Sequence, residues 1–510
     1  MKMSPEEIER ISHGTPSEIA AVITRLLEII DQQAARIVAL ENRVAELERQ
    51  LGQNSQNSSK PPSSDGFRKP SNSRKSGGKK GAPKGHTGHT LHLSEHPDTI
   101  ILHPVTTCSH CAASLVGEPS EGYEKRQVFD LPQPRFLITE YRAEKKCCPH
   151  CRSMQQAAFP DQVNAPVQYG DSLTTWTVYL MAYQMLPLSR TCEIFTDLTG
   201  HRPSEATLLS RLDRAHTQLA PYEQTIRKRV LSSQVAHADE TTLRVDKSKV
   251  WLHNLSTPNW TFQGVHEHRG SKAFDDLGLL PRYTGILVHD CNMPYFKEKY
   301  SFQHALCGAH LLRECQGIAE YDHHHWASQM KGLLQQSWRL VRSARQANRP
   351  LAPNTLTYID SRYEAILRLG KSESQRGRKR EKTGPCGRKS KSKAANLGER
   401  FRLHKEAILR FLRDDRVPFD NNQAERDLRM AKVKHKISGT FRTRQGADQF
   451  ARARSFISTL RKQQLPILAS LSAAIRHDFQ FLADLSSNSF GHYGAAKPGQ
   501  SGLSRARDVC

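Results

Sequence analysis

SQVAHADETTLRV, residues 233–245, reads as a β-strand with an acid, Asp239, in its middle. Two more strand-like runs follow at 250–255 and 260–266, separated by a Pro258-Asn259 turn. A helix is expected near 273–279, and then GILVHD (285–290) forms a short buried strand ending in Asp290. Three antiparallel strands, a helix and a parallel strand are the opening of a ribonuclease-H-like fold. That fold carries one acid on its first strand, a second at the end of its fourth and a third on a later helix. Asp239 and Asp290 match the first two positions, 51 residues apart.

The third acid is expected from DNNQAERDLR (420–429), 135 residues beyond Asp290. Pro418 and Asp420 start a helix, with Asp420 as its N-cap. Asn421, Asn422, Glu425, Arg429 and Lys432 then share one face, and Ala424, Leu428 and Ala431 form an apolar stripe that packs on the sheet. The chemistry of such a triad is that of hard cations. Mg²⁺ takes oxygen ligands and keeps several waters, and two Mg²⁺ (or Mn²⁺) ions about 4 Å apart activate the attacking oxygen and stabilise the leaving oxygen of a phosphodiester displacement. Asp239 is expected to bridge the ions, Asp290 to hold one and Glu425 the other. Glu240, next along the strand, points to the opposite face.

Outward from this core the chain divides further. Residues 1–53 carry a heptad pattern, with Ile23, Ile30, Ile37, Val44 and Leu51 at a positions and Ile19, Leu26, Gln33, Leu40 and Leu47 at d. β-branched residues at a with Leu at d favour a parallel two-stranded coiled coil, and hence a homo-oligomer. A basic linker follows at 54–90. Residues 91–155 hold Cys108-Ser-His-Cys111 and Cys148-Pro-His-Cys151, with a strand-like run RFLITEY (135–141) between them. Four thiolates in two CxxC knuckles are the ligand set of a structural Zn²⁺; Cys147 is an alternative ligand, and His110 and His150 are more distant ones. The region 165–225 is helical, with one helix over 189–198, a turn at 200–203 and Ser204 capping a second helix. Arg211 and Arg214 on that second helix could face DNA as in a helix-turn-helix; ordinary helix packing is the competing reading. The catalytic domain is expected over 230–450, interrupted by a basic insert at 371–396, with a helical C-terminal region at 451–510. The fold class is therefore mixed α/β and multidomain.

Charge supports a polyanionic partner. Of a net +24, residues 54–90 hold eight Lys/Arg against Asp65, and 371–393 hold ten against Glu373 and Glu381. Neutralising phosphates with such tracts releases counterions, a sequence-independent source of affinity. No apolar run reaches the length of a membrane span and no signal-peptide pattern follows Met1, so a cytoplasmic protein without a membrane partner is expected. The eleven cysteines read as a metal site plus ordinary thiols, not a secreted disulfide framework.

In order along the chain, the zipper, the Lys/Pro/Gly-rich linker, the CxxC pairs, HADET around Asp239, VHD ending at Asp290, ALCGAHLLRE (305–314) and PFDNNQAERDLR (418–429) resemble the transposases of the bacterial insertion sequence 66 family, over nearly the whole length. The resemblance implies a DDE-type recombinase with Asp239, Asp290 and Glu425 as its triad. It also implies double-stranded DNA partners, namely the inverted repeats of its own element and a target, with 3′-end cleavage and strand transfer. Small accessory proteins of the same element are further partners it suggests, in a bacterial cytoplasm near the nucleoid. Arg429 and Lys432 join Arg211 and Arg214 as expected DNA-binding residues. Cys307-Gly-Ala-His310 could be mistaken for a metal knuckle; its helical context favours packing, with His310 or Arg313 near phosphate as the alternative. Two other functions compete: a DNA-binding repressor that has lost catalysis, and a nuclease on the same fold that cuts without joining. The complete acid triad argues against the first, and the zipper, able to hold two DNA ends together, against the second.

Overall fold

In the computed structural model of the chain, the described residues are 5–54, 56–58, 91–376, 391–478, 480, 481, 483 and 484. Most of the basic linker expected at 54–90, the centre of the basic insert (377–390) and the end of the chain (485–510) lie outside them. Two compact units emerge: 69–165 with 192–203, and a larger one of 1–68, 166–191 and 204–510. No helix among the described residues is long and apolar enough to cross a membrane.

The N-terminal heptads form one long helix, Pro16–Gly52, with no buried residue. Its start is fixed by a reciprocal cap, in which Glu18 accepts from the Thr15 backbone N–H at 2.8 Å and Pro16 occupies the first turn. From Ile23 to Leu51 the apolar side chains at a and d positions are 42–82% exposed. That stripe is left without a partner in a single chain.

In the smaller unit the two CxxC segments have the same backbone. Cys108 N–H donates to the Ala113 carbonyl (2.9 Å) and Ala112 N–H to the Cys108 carbonyl (3.0 Å); Cys148, Ser153 and Arg152 repeat this at 2.9 Å each. Ala112 and Arg152 both take a left-handed φ of 58° to close the loop. The second knuckle joins β1 (Lys145–Cys147) to β2 (Met154–Gln156), an antiparallel pair. The strand expected at 135–141 is not formed: those residues have no ladder, and Leu137 and Ile138 are exposed. Strand propensity becomes a strand only where a neighbouring edge supplies hydrogen bonds and a surface to cover.

The larger unit is built on five strands: β3 (Val235–Val245), β4 (Ser248–Ser256), β5 (Thr261–His266), β6 (Ile286–His289) and β7 (Gln303–Leu306). Their order is β5-β4-β3-β6-β7. The first three pair antiparallel as a meander, while β6 runs parallel to β3 and β7 parallel to β6. The helix expected near 273–279 spans Ser271–Leu277 and ends at Gly278, whose φ of 68° lets its N–H close back on the Phe274 carbonyl.

Side chains alternate across β3, and the two faces have different cores. Ala236 and Ala238 belong to a cluster with Tyr222 and Ile226 of the helix Ala220–Leu231 and with Phe274, Tyr295 and Phe456. Leu243 belongs to the opposite cluster, with Leu428 and Ala431 of the helix Asn422–Ser438. The helices of 204–231 share the sheet's core, and the helix Arg444–Lys462, packed along β5, runs through the boundary expected at 450.

Between β7 and the Asn422–Ser438 helix lies a helical layer with its own core: Gly308–Tyr321, His325–Gln346, Pro353–Arg376 and Lys393–Leu403. Trp326, Tyr363 and Phe401 fill it, and the Tyr363 hydroxyl donates to the Phe401 carbonyl at 2.7 Å. Only the two ends of the basic insert expected at 371–396 fall among the described residues, and both are helical. Residues 371–376 end one helix and 393–396 begin the next, behind Ser392, whose hydroxyl caps Ala395 N–H at 3.1 Å. Helix-forming residues beside a packed core continue the helix regardless of their charge.

Candidate active site

β3 is the central strand, and its parallel register with β6 sets the first two acids side by side. Val235, Ala236 and His237 pair with Ile286, Leu287 and Val288. β6 ends at His289, so Asp290 leaves the sheet beside Asp239, in the kind of crevice that forms where parallel strands end. The Glu240 N–H donates to Asp239 Oδ1 at 2.8 Å and the Asn292 N–H to Asp290 Oδ1 at 3.1 Å, which orients both carboxyls.

Glu425 comes from the other side. Its helix begins at Asn422, not directly after Asp420 as expected; Asn421 takes the N-cap place and Asp420 accepts from Asn422 N–H at 3.1 Å. The shift has a cause: Asn421 is drawn inward. Only 1% exposed, it donates from Nδ2 to the Ala238 carbonyl (2.8 Å), and its Oδ1 meets His237 Nδ1 at 2.9 Å. Its own N–H points at Cys307 Sγ (3.2 Å). Asn421 therefore does not share the exposed face of Asn422 and Arg429. Ala424, Leu428 and Ala431 are buried as the stripe required. The helix is clasped to β3 one turn before Glu425, next to the strand residue that precedes Asp239.

Asp239 lies within electrostatic reach of both other acids. Burial, and then the charges of Glu240, Asp290 and Glu425, hold Asp239 well above the usual carboxylate range. Burial and Glu240 push Asp290 up to about 6, against the pull of Arg269. Burial raises Glu425, with Arg313 opposing. Desolvated like charges that disfavour ionisation are relieved by a cation. Glu425 Oε1 is also buried without a hydrogen bond. The donor set, carboxylates with an open oxygen, fits a hard divalent ion.

His310 Nε2 and Arg313 Nη2 each lie 3.8 Å from Glu425 Oε1. Burial, and then Arg313, push His310 down to about 4, so it is neutral at pH 7. Ligand atoms of Cys307, His310 and Glu425 lie within 4.8 Å of one another, the one such group of three among the described residues. This segment, expected mainly to pack, lies against the site.

The basic residues fare unevenly. Arg214 pairs with Asp171 at 2.7 Å, and Arg211 is partly buried, its pKa lowered by desolvation and by Arg214. Lys432 donates to the Thr242 carbonyl (3.0 Å) and hydroxyl (3.1 Å), so it is tied to β3. Arg429 is exposed. Two residues do more to shape the site: Arg269, which sequence reasoning passed over, and Asn421, which it placed on the exposed face with Glu425. In the smaller unit, Ser153 and Cys148 draw the Cys151 thiol down to about 7. Backbone N–H groups of the knuckle and Cys111 lower that of Cys108. Donors aimed at sulfur favour the thiolate, the form that binds metal.

Residues 166–449, more than half of the chain, match the Transposase IS66 family. Residues 6–92 match a family of unknown function. A protein of Sinorhizobium fredii called "Uncharacterized protein y4hP" is 22% identical over 403 residues, 71% of this chain and 69% of its own length.

Proposed function

The chain belongs to the Transposase IS66 family, and from that membership we propose that it is a DNA transposase whose Asp239, Asp290 and Glu425 hold two divalent metal ions, Mg²⁺ or Mn²⁺. The strand order β5-β4-β3-β6-β7, an antiparallel meander joined to two parallel strands, supports a ribonuclease-H-like core. The observation that carries the reading is the convergence of three acids far apart in sequence, through the β3–β6 register and the Asn421 clasp. When bound, the ions would activate the attacking oxygen and stabilise the leaving oxygen in 3′-end cleavage and strand transfer.

Each residue has its own task. When ions are bound, Asp239, on the central strand, would be the ligand they share, and Asp290 and Glu425 would each hold one of them. Asn421 and the apolar stripe hold Glu425 at a fixed distance from β3, since misplacement by about 1 Å can cost on the order of 10²-fold in rate. Arg429 meets the DNA backbone from the same helix. Lys432, Arg211 and Arg214 would have to exchange their present partners for phosphate.

Each CxxC turn, with its lowered Cys108 or Cys151 thiol, supports metal binding by its own pair. A Zn²⁺ held by Cys108, Cys111, Cys148 and Cys151 together, in a module that helps recognise the element's ends, would have to draw in the two pairs, whose sulfurs are not gathered into one ligand group in the structure. The exposed heptad stripe supports a parallel coiled coil between two copies, which brings two DNA ends into one complex. Accessory proteins of the same element and a place beside the bacterial nucleoid complete the reading.

The test is cleavage and joining by the purified protein on a labelled duplex with the element's ends, with Mg²⁺ and with EDTA. Metal-dependent joined products that disappear in Asp239→Asn, with end binding kept, are the expected result. Joining that persists in Asp239→Asn or in EDTA would overturn the proposal.

A further inference from the structure

The second acid of the HADET run, Glu240, lies on the opposite face of β3 from Asp239, and its side chain is 0% exposed. Both of its oxygens are engaged. Oε1 accepts from Arg269 Nε (2.7 Å) and Asn292 Nδ2 (3.0 Å), and Oε2 from the Tyr295 hydroxyl (2.8 Å). Three of its roughly four acceptor positions are thus filled by protein donors, so this carboxylate serves Arg269, Asn292 and Tyr295. Its one cationic partner is Arg269, so the question is what that arginine does.

Arg269 sits in the loop between β5 and the helix Ser271–Leu277. Its guanidinium is gripped from two sides: the Nε–H by Glu240, and one face by the Trp251 ring, 5.1 Å from centroid to carbon. Using Nε fixes the plane of the fork. The rest of the fork is free of hydrogen bonds within the described residues, and Nη2 stands 3.7 Å from Asp290 Oδ2. The side chain is 46% exposed, so a ligand can reach it. A locked, half-exposed guanidinium is thus held beside one of the proposed metal ligands by a buried acid that makes no other ion pair among the described residues.

We propose that Arg269 contacts the phosphate being cut, with Glu240 as the positioning residue that holds its fork in place. This rests on the two-metal reading of Asp239, Asp290 and Glu425 and extends it. As attacking and leaving oxygens share the phosphorus, charge spreads over the non-bridging oxygens. A preorganised fork receives that charge without rearranging. In the DNA-free protein the nearby Asp290 oxygen stands where a phosphate oxygen would approach, and a metal on Asp290 would draw that carboxylate's charge away from the fork.

The experiment compares Arg269→Ala and Arg269→Lys with wild type in Mn²⁺-dependent cleavage of a labelled duplex bearing the element's end, at saturating DNA. Arg269→Ala is expected to cut about 10²-fold more slowly, the scale for one electrostatic donor at a reacting centre. Arg269→Lys, which keeps the charge on Glu240 but loses the fork, falls between the two. End-binding affinity and Mn²⁺ affinity stay at wild-type values in both, and added methylguanidinium restores part of the Arg269→Ala rate. Because Arg269→Ala strands a buried carboxylate, Arg269→Lys carries the test if the alanine variant does not fold. Wild-type cleavage by Arg269→Lys and Arg269→Ala would overturn the inference, and so would a loss that follows weakened Mn²⁺ binding. Asp239→Asn runs alongside: if it still cuts, the acid reading fails; if it is dead while the Arg269 variants cut normally, only this inference fails.

Discussion

Replacing Asn421 by alanine tests how Glu425 is placed. The amide is 1% exposed and makes two side-chain bonds, to the Ala238 carbonyl and to His237 Nδ1. Alanine leaves both partners buried. His237 is 5% exposed and, lowered by burial, is neutral near pH 7, so it cannot recover by charging. A buried polar group stripped of its partner costs about 1–3 kcal/mol. The strand carbonyl retains its second lone pair, so we expect a total loss of about 2–4 kcal/mol. Domains of this kind have stabilities of about 5–15 kcal/mol, so the protein still folds. Freed from its clasp, the start of the helix can drift, and Glu425 with it. Cleavage at saturating DNA should then fall on the order of 10²-fold. Urea unfolding followed by circular dichroism reads the first effect and single-turnover cleavage the second. Asn421→Asp is the companion variant: it can still accept from His237 but sets a carboxylate against the Ala238 carbonyl, so it should be no better. A stability loss below about 1 kcal/mol, or unchanged cleavage in a destabilised protein, would refute the clasp.

Two further outcomes are expected. Asp290 is held at about 6 in the folded chain, against about 3.9 when unfolded. The folded state therefore binds the proton more tightly, and this contribution is complete below about pH 4 and lost as pH rises through about 6. With chelator present, wild type should gain stability relative to Asp290→Asn between pH 7 and pH 5, and its Mn²⁺ affinity should fall over the same range; parallel melting curves would contradict this. Changing Cys148 and Cys151 to serine should release bound zinc, unfold only the smaller unit and weaken end binding; full-strength binding by the zinc-free protein would show that the knuckles do not serve recognition.

Much of the sheet was legible because its signals are local. The strands around Asp239 and before Asp290, the helix ending at Gly278 and the Ala424, Leu428 and Ala431 stripe follow from period, β-branching and turn residues within a few positions. Residues 135–141 show the limit: the same kind of run forms no strand where no edge pairs with it. The helical layer around Trp326, Tyr363 and Phe401 was hidden behind one conspicuous feature, the basic tract. Charge drew attention to the tract, while the core formed by the residues around it is spread over four helices.

Arg269 and Asn421 mark the other limit. Arg269 has no periodic signature and Asn421 leaves the helical face its period suggested, and their partners lie 29 and 183 residues away. Acids at suitable spacings on a strand, after a strand and on a helix could be nominated from the chain alone, because spacing and local conformation are encoded there. That a buried amide clasps the helix to β3, or that Glu240 spends its charge on an arginine beside Asp290, depends on which surfaces desolvate together. Desolvation is a property of the packed fold, since a hydrogen bond or ion pair gains its weight only where water has been excluded.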